Sequence, residues 1–119
     1  MKKMKIMAHG LVMALIIALP VSAMLLMAAE DDAGKAAYDK SCSKCHGPDG
    51  KGDTKMGKMI KTPDLTDKAN WKEGTSQEAL EKVIREGSGK MPKFAGKMSD
   101  AEVSAAAAYT IKLSGVNEE

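Results

Sequence analysis

Cys42-Ser43-Lys44-Cys45-His46-Gly47 is the stretch that decides how this chain is read. It contains both cysteines of the 119 residues and one of the two histidines. Cysteines three positions apart lie on the same side of a helical turn, where both sulfurs can meet one flat group. The next residue, His46, is then carried beneath that group. Cys-x-x-Cys-His is the attachment pattern of haem c: the two thiols bond to two vinyl groups and the imidazole takes an axial position on the iron. Gly47 lets the backbone pass close to the ring, and the carbonyls that follow are in reach to orient the other imidazole nitrogen.

Three other chemistries use cysteines at this spacing. A thioredoxin-like dithiol needs a preceding strand and a βαβ context, whereas a short helical segment precedes this pair and loop follows. Zinc usually takes four ligands, and the body of the chain offers only Cys42, Cys45 and His46 from the preferred set. A structural disulfide would leave His46 incidental. Haem attachment uses all three residues.

Upstream, residues 1–10 hold three lysines, and Leu11–Leu19 is an unbroken apolar run of nine. Pro20 is expected to break the helix, and Val21-Ser22-Ala23 supplies the small residues that signal peptidase needs. A second cut fits after Ala28 or Ala29. On this reading 1–29 is a signal peptide and 30–119 a single domain in the bacterial periplasm. The rival reading keeps the segment as an inner-membrane anchor, because Leu11–Ala29 approaches the roughly 20 apolar residues of a spanning helix. Pro20 and Ser22 weaken that reading. Both export the domain, and no cysteine is available for lipid attachment at the leader's end.

The formal charge of +2 includes the leader. Removing its three lysines from the 18 basic residues leaves 15 against 16 acidic ones, a charge of −1 for the body. A global basic field for nucleic acid is therefore absent. Some 90 residues make one thin-cored domain, of a size that often depends on a metal, disulfide or cofactor. Tyr38, Trp71, Phe94 and Tyr109 are the only aromatic residues, so a large apolar guest would help to fill the interior.

Three main helices are expected. The first runs from about Asp32 to Lys40. The second starts at Thr75, with Glu78 completing a capping box, carries a stripe of Ala79, Leu80, Val83 and Ile84, and stops at Gly87. The third starts at Ser99, with Glu102 as its box partner and Met98 and Val103 as a hydrophobic staple, and ends near Leu113 before Gly115. No segment alternates long enough to form a strand. The 28 residues Gly47–Gly74 read as loop, with one short helical turn at Lys55–Ile60. A loop of that length in so small a domain makes sense if it wraps a bound group.

The second axial ligand follows partly by elimination. His9 lies in the leader, which leaves the methionines Met56, Met59, Met91 and Met98. Met91 precedes Pro92, which biases its backbone to the extended region and suits a fixed loop across the ring. Met98 is already assigned to the staple, and Met56 and Met59 sit in a lysine-rich loop. The ordinary reading of any one methionine is core filler.

These residues together resemble the single-haem class I c-type cytochromes of bacteria. The matching features run from Gly34 to Leu113: Gly34-x-x-x-Tyr38, Cys42-x-x-Cys45-His46-Gly47, Pro63-Asp64-Leu65, Met91-Pro92-x-Phe94 and Tyr109. The resemblance implies an all-α domain wrapped around one covalent haem c, with one haem edge at the surface. It implies that the first and last helices cross, Gly34 letting the backbone approach Tyr109. It places Pro63, Leu65 and Phe94 in the haem pocket, and makes Met91 the second axial ligand with His46. Trp71 would lie near the haem or its propionates, a plain core tryptophan being the alternative. The lysine-rich, aromatic-poor segment between His46 and Met91 departs from the pattern.

With His46 and Met91 filling both axial positions no site stays open for a substrate, so the expected role is a one-electron carrier and not an enzyme. The expected partners are redox proteins, with no nucleic acid, membrane contact only through an uncleaved leader, and a monomeric state. Lys35, Lys40, Lys44, Lys51, Lys55, Lys58 and Lys61 flank the motif. They either steer acidic partners to the haem edge or form a solvated basic face. Two other functions remain open: a haem sensor or enzyme subunit in which Met91 leaves the iron, and a membrane-tethered subunit of a respiratory complex.

Overall fold

The computed structural model describes the backbone of residues 2–116 and the side chains of 21–116. Lys2, Lys3, Lys5, the apolar run Leu11–Leu19 and His9 lie outside the described side chains. Among the described residues five α-helices follow one another: α1 (Lys2–Ser41), α2 (Ser43–His46), α3 (Lys55–Ile60), α4 (Gln77–Glu86) and α5 (Asp100–Ser114), with a 3-10 turn at Lys68–Asn70. Isolated bridges join Ser88 to Met91 and Ala95 to Met98. The domain is all-α, as the pattern predicts.

By packing, the chain divides into units Met1–Glu30 and Asp31–Glu119. In the first, the backbone is helical through Pro20, where a break is expected. A proline removes one helical donor and crowds the preceding turn, but the flanking hydrogen bonds carry the helix past it. Val21, Met24, Leu25, Leu26 and Met27 are exposed on it. Among the described residues no helix is both long and apolar enough to cross a membrane.

The second unit closes on a face of α1 made by Gly34, Ala37 and Tyr38, the spacing of one helical stripe. Facing it, α5 buries Val103, Ala106, Ala107, Thr110 and Ser114. Gly34 makes the close approach possible, because a Cβ there would lie 2.6 Å from the Ala105 carbonyl oxygen and 2.8 Å from Tyr109 Cβ. The rings of Tyr38 and Tyr109 meet one turn further on, with centroids 5.4 Å apart and planes tilted by 55°. The contact implied by the resemblance is therefore present.

α5 starts where its sequence says it should. The Ser99 side chain accepts from Glu102 N at 3.1 Å and Glu102 returns a carboxylate to Ser99 N at 2.8 Å. The box at α4 is displaced: Ser76, not Thr75, is the cap, accepting from Ala79 N at 3.1 Å. Thr75 is buried instead. Two adjacent hydroxyl residues can both cap, and packing selects the register. α4 then lays Leu80 and Ile84 on Val103 and Ala107 of α5, joined by Met91, Phe94 and Met98 from the intervening loop. Met98 and Val103 thus share one cluster, as a staple requires. Gln77 seals the edge by donating to Ser104 Oγ at 3.0 Å.

Candidate functional site

The cysteine turn is built by hydrogen bonds on both sides. Cys42 N donates to Tyr38 O at 2.8 Å, which prolongs α1 into the motif, and His46 N donates to Cys42 O at 3.0 Å, which coils Ser43–His46 into α2. Gly47 ends the turn at φ +79°, a value that favours glycine. Its carbonyl accepts the buried Tyr38 hydroxyl at 2.7 Å, and Gly52 N donates to His46 O at 2.7 Å. The helix and the returning loop therefore both hold the turn.

α3 packs against the other side. Thr54 caps it through Gly57 N at 2.8 Å, and the same hydroxyl reaches the carbonyls of Lys44 at 2.8 Å and Cys45 at 3.1 Å. A Cβ on Gly57 would be 2.3 Å from Cys45 O and 2.4 Å from Gly52 O. Thr54 and Gly57 are thus structural parts of the site that motif reading misses. The available signal was a glycine inside a helical run, three residues after a capping threonine.

Cys42 and Cys45 are both free and half-buried. Burial, with the neighbouring Cys45 adding to it, pushes the Cys42 thiol up to about 11. Burial also lowers the pKa of His46, which favours neutral imidazole with a lone pair for a metal. Its Nδ1 is buried without a hydrogen-bond partner, so none of the carbonyls after Gly47 orients it.

The remaining predicted residues fall into two groups on other elements. Leu65 is half-buried and its N–H donates to Gly50 O at 2.8 Å; Trp71 is half-buried and donates Nε1–H to Leu65 O at 2.8 Å. The indole is thus committed to the loop backbone. Pro63 is exposed. Met91 and Phe94 are half-buried in the α4–α5 cluster, with Met98 beside them. Met56 is half-buried and Met59 is 65% exposed. Lys44, Thr54, Lys55, Met56 and Met59 line one surface groove.

A domain with no strand among its described residues, whose first helix runs into a Cys-x-x-Cys-His turn, is a single-haem class I c-type cytochrome, an electron-transfer protein. More closely, the chain belongs to the family of cytochrome C oxidase, cbb3-type, subunit III, which matches residues 29–109. It is 33% identical over 89 residues to the cbb3-type cytochrome c oxidase subunit CcoP of Azospirillum brasilense, covering 74% of this chain and 30% of that protein. It is 36% identical over 83 residues to the subunit FixP of Bradyrhizobium diazoefficiens, covering 69% and 27%. Cytochrome c6 of Picosynechococcus is 34% identical over 85 residues, covering 69% of this chain and 72% of that protein. The chain thus spans under a third of the length of the oxidase subunits it resembles.

The cofactor of this class is haem c, covalently bound. The donor set suits it: two free thiols on one turn, a half-buried imidazole whose buried Nδ1 is unsatisfied, and a thioether in an apolar cluster. Leu65, Trp71, Leu80, Val83, Met91, Phe94 and Leu113 are apolar residues left half-exposed.

Proposed function

We propose that residues 30–119 carry single electrons between redox proteins in the periplasm, as a monomer that is not itself an enzyme. Cys42 and Cys45 would hold haem c by thioether bonds, and His46 and Met91 would ligate its iron. Pro63, Leu65, Trp71 and Phe94 belong to the pocket. Residues 1–29 direct export and are then cleaved, or stay as the anchor. The observation that carries this reading is the α2 turn, where two free thiols and a half-buried imidazole, its pKa lowered by burial, are fixed by Tyr38, Gly52 and Thr54.

When bound, haem c supplies the one-electron couple of its iron. The chain's residues would hold the ring, and His46 and Met91 would leave no open position for a substrate. A thioether from Met91 would raise the reduction potential above that of a bis-imidazole pair. Lys44, Lys51, Lys55 and Lys61 around the motif steer acidic partners, a rate effect that salt weakens.

Intact mass and visible spectra test the reading. Protein from a host able to mature c-type cytochromes should carry one covalent haem and show the weak red band of sulfur–iron ligation. Cys42→Ala with Cys45→Ala should abolish covalent haem, and Met91→Ala should remove the red band. Colourless protein with both thiols free refutes the proposal.

The family match favours a second reading, in which this domain works inside a respiratory oxidase complex. Co-purification with oxidase activity from native membranes would select it over a free carrier, and mass spectrometry of the native N-terminus would show whether the leader stays.

A further inference from the structure

The loop that carries Met91 is seated on the end of α4 in an unusual way. Gly87, the C-cap, has φ +77° and ψ 173°, a conformation left almost wholly to glycine. A Cβ at Gly87 would lie 2.8 Å from Met91 O, 2.9 Å from Lys93 N and 3.1 Å from Pro92 C. All three are backbone atoms and cannot rotate aside. The loop is also pinned from both ends of its turn. Ser88 N donates to Met91 O at 3.1 Å and Met91 N returns a bond to Ser88 O at 2.9 Å. Beyond Pro92, Phe94 N donates to Ile84 O at 3.0 Å and Ala95 N to Arg85 O at 3.2 Å. These carbonyls belong to the last turn of α4, where helical partners run out. The segment 88–95 is therefore held to α4 by these backbone bonds as well as by the packing of Met91 and Phe94, with Gly87 as the surface it rests on.

We propose that Gly87 is a positioning residue for the axial thioether: by lacking a side chain it lets the Met91–Lys93 backbone sit flush on α4, which fixes how firmly Met91 holds the haem iron. The inference rests on Met91 being the ligand. Gly89 provides the internal control, because it lies in the same loop with φ +55° and nothing within 4 Å of the Cβ it would carry. A substitution there also meets a positive φ but no backbone wall.

Gly87→Ala, Gly89→Ala and Met91→Ala are compared as haem-loaded proteins, with exogenous imidazole titrated against the oxidised form and the red band followed. Imidazole must displace the thioether, so its apparent affinity reports the grip of Met91. Relief of the Gly87→Ala clash on loop release should raise that affinity about tenfold or more and lower the reduction potential. Gly89→Ala should stay within about threefold of the parent. A Gly87→Ala affinity no higher than that of Gly89→Ala overturns the proposal while leaving the ligand intact. Retention of the red band in Met91→Ala overturns the ligand assignment itself. Should Gly87→Ala fail to fold, amide exchange in the parent decides: the Phe94 and Ala95 amides should be protected together with the last turn of α4. Free exchange of both, with the red band intact, refutes the seat.

Discussion

Gly34→Ala puts a methyl group where α1 and α5 touch. The new Cβ would be 2.6 Å from the Ala105 carbonyl oxygen and 2.8 Å from Tyr109 Cβ, against ordinary contacts of 3.4–4 Å. Both neighbours are fixed to the α5 backbone, so relief requires the helices to part by roughly 0.8 Å. Forcing atoms into a packed contact costs about 1–3 kcal/mol. Alanine's better helix propensity returns about 1 kcal/mol. The net loss is about 1–2 kcal/mol, because the tilted Tyr38–Tyr109 pair is also disturbed. For a domain of this size that lowers Tm by roughly 4–16 °C. Thermal and guanidinium unfolding of the haem-loaded protein, followed by circular dichroism, measures it. Propensity alone dictates the opposite sign, so an unchanged or raised Tm refutes the reasoning.

Tyr38→Phe removes the buried hydroxyl that the Gly47 carbonyl accepts, and should cost about 1–2 kcal/mol in urea unfolding, while an unchanged midpoint would show the bond to be replaceable. Gly57→Ala forces a methyl onto the Cys45 and Gly52 carbonyls and should lower the yield of covalently loaded protein, read by intact mass; full loading would mean that α3 yields easily. Backbone and side-chain hydrogen bonds from Ser99 hold the Glu102 carboxyl below its ordinary 4.5. A carboxylate depressed in the folded state stabilises fully above the unfolded value and loses that contribution as pH falls through the folded one. Glu102→Gln should therefore flatten the acid limb of stability below about pH 4.5, measured as urea midpoint against pH, and an acid limb identical to the parent's would count against the capping carboxylate.

Local rules made much of this domain readable. The α5 box needs only Ser99 and Glu102 to be three residues apart, and Lys55–Ile60 needs only its own hydrogen bonds and a capping threonine. The cysteine turn is equally local, with Cys42 at the N-terminal boundary of α2 and Cys45 and His46 on it. What escaped depends on neighbours distant in the chain. Whether Thr75 or Ser76 caps α4 is decided by which register turns Leu80 and Ile84 onto α5. That Trp71 spends its N–H on Leu65, that Gly57 lies under Cys45, and that Gly87 bears the Met91 loop are facts of three-dimensional proximity. Pro20 shows the reverse error, where a local breaker was overruled by the helix around it.

Seven apolar residues are buried among the described residues, and Ala37, Ala106 and Ala107 are three of them. So sparse an interior gives a nascent polypeptide little reason to collapse unaided. Acquisition of the pigment is then a stage of folding itself, much as metal uptake is for zinc fingers. A copy without haem c is then expected to be less stable than the loaded protein.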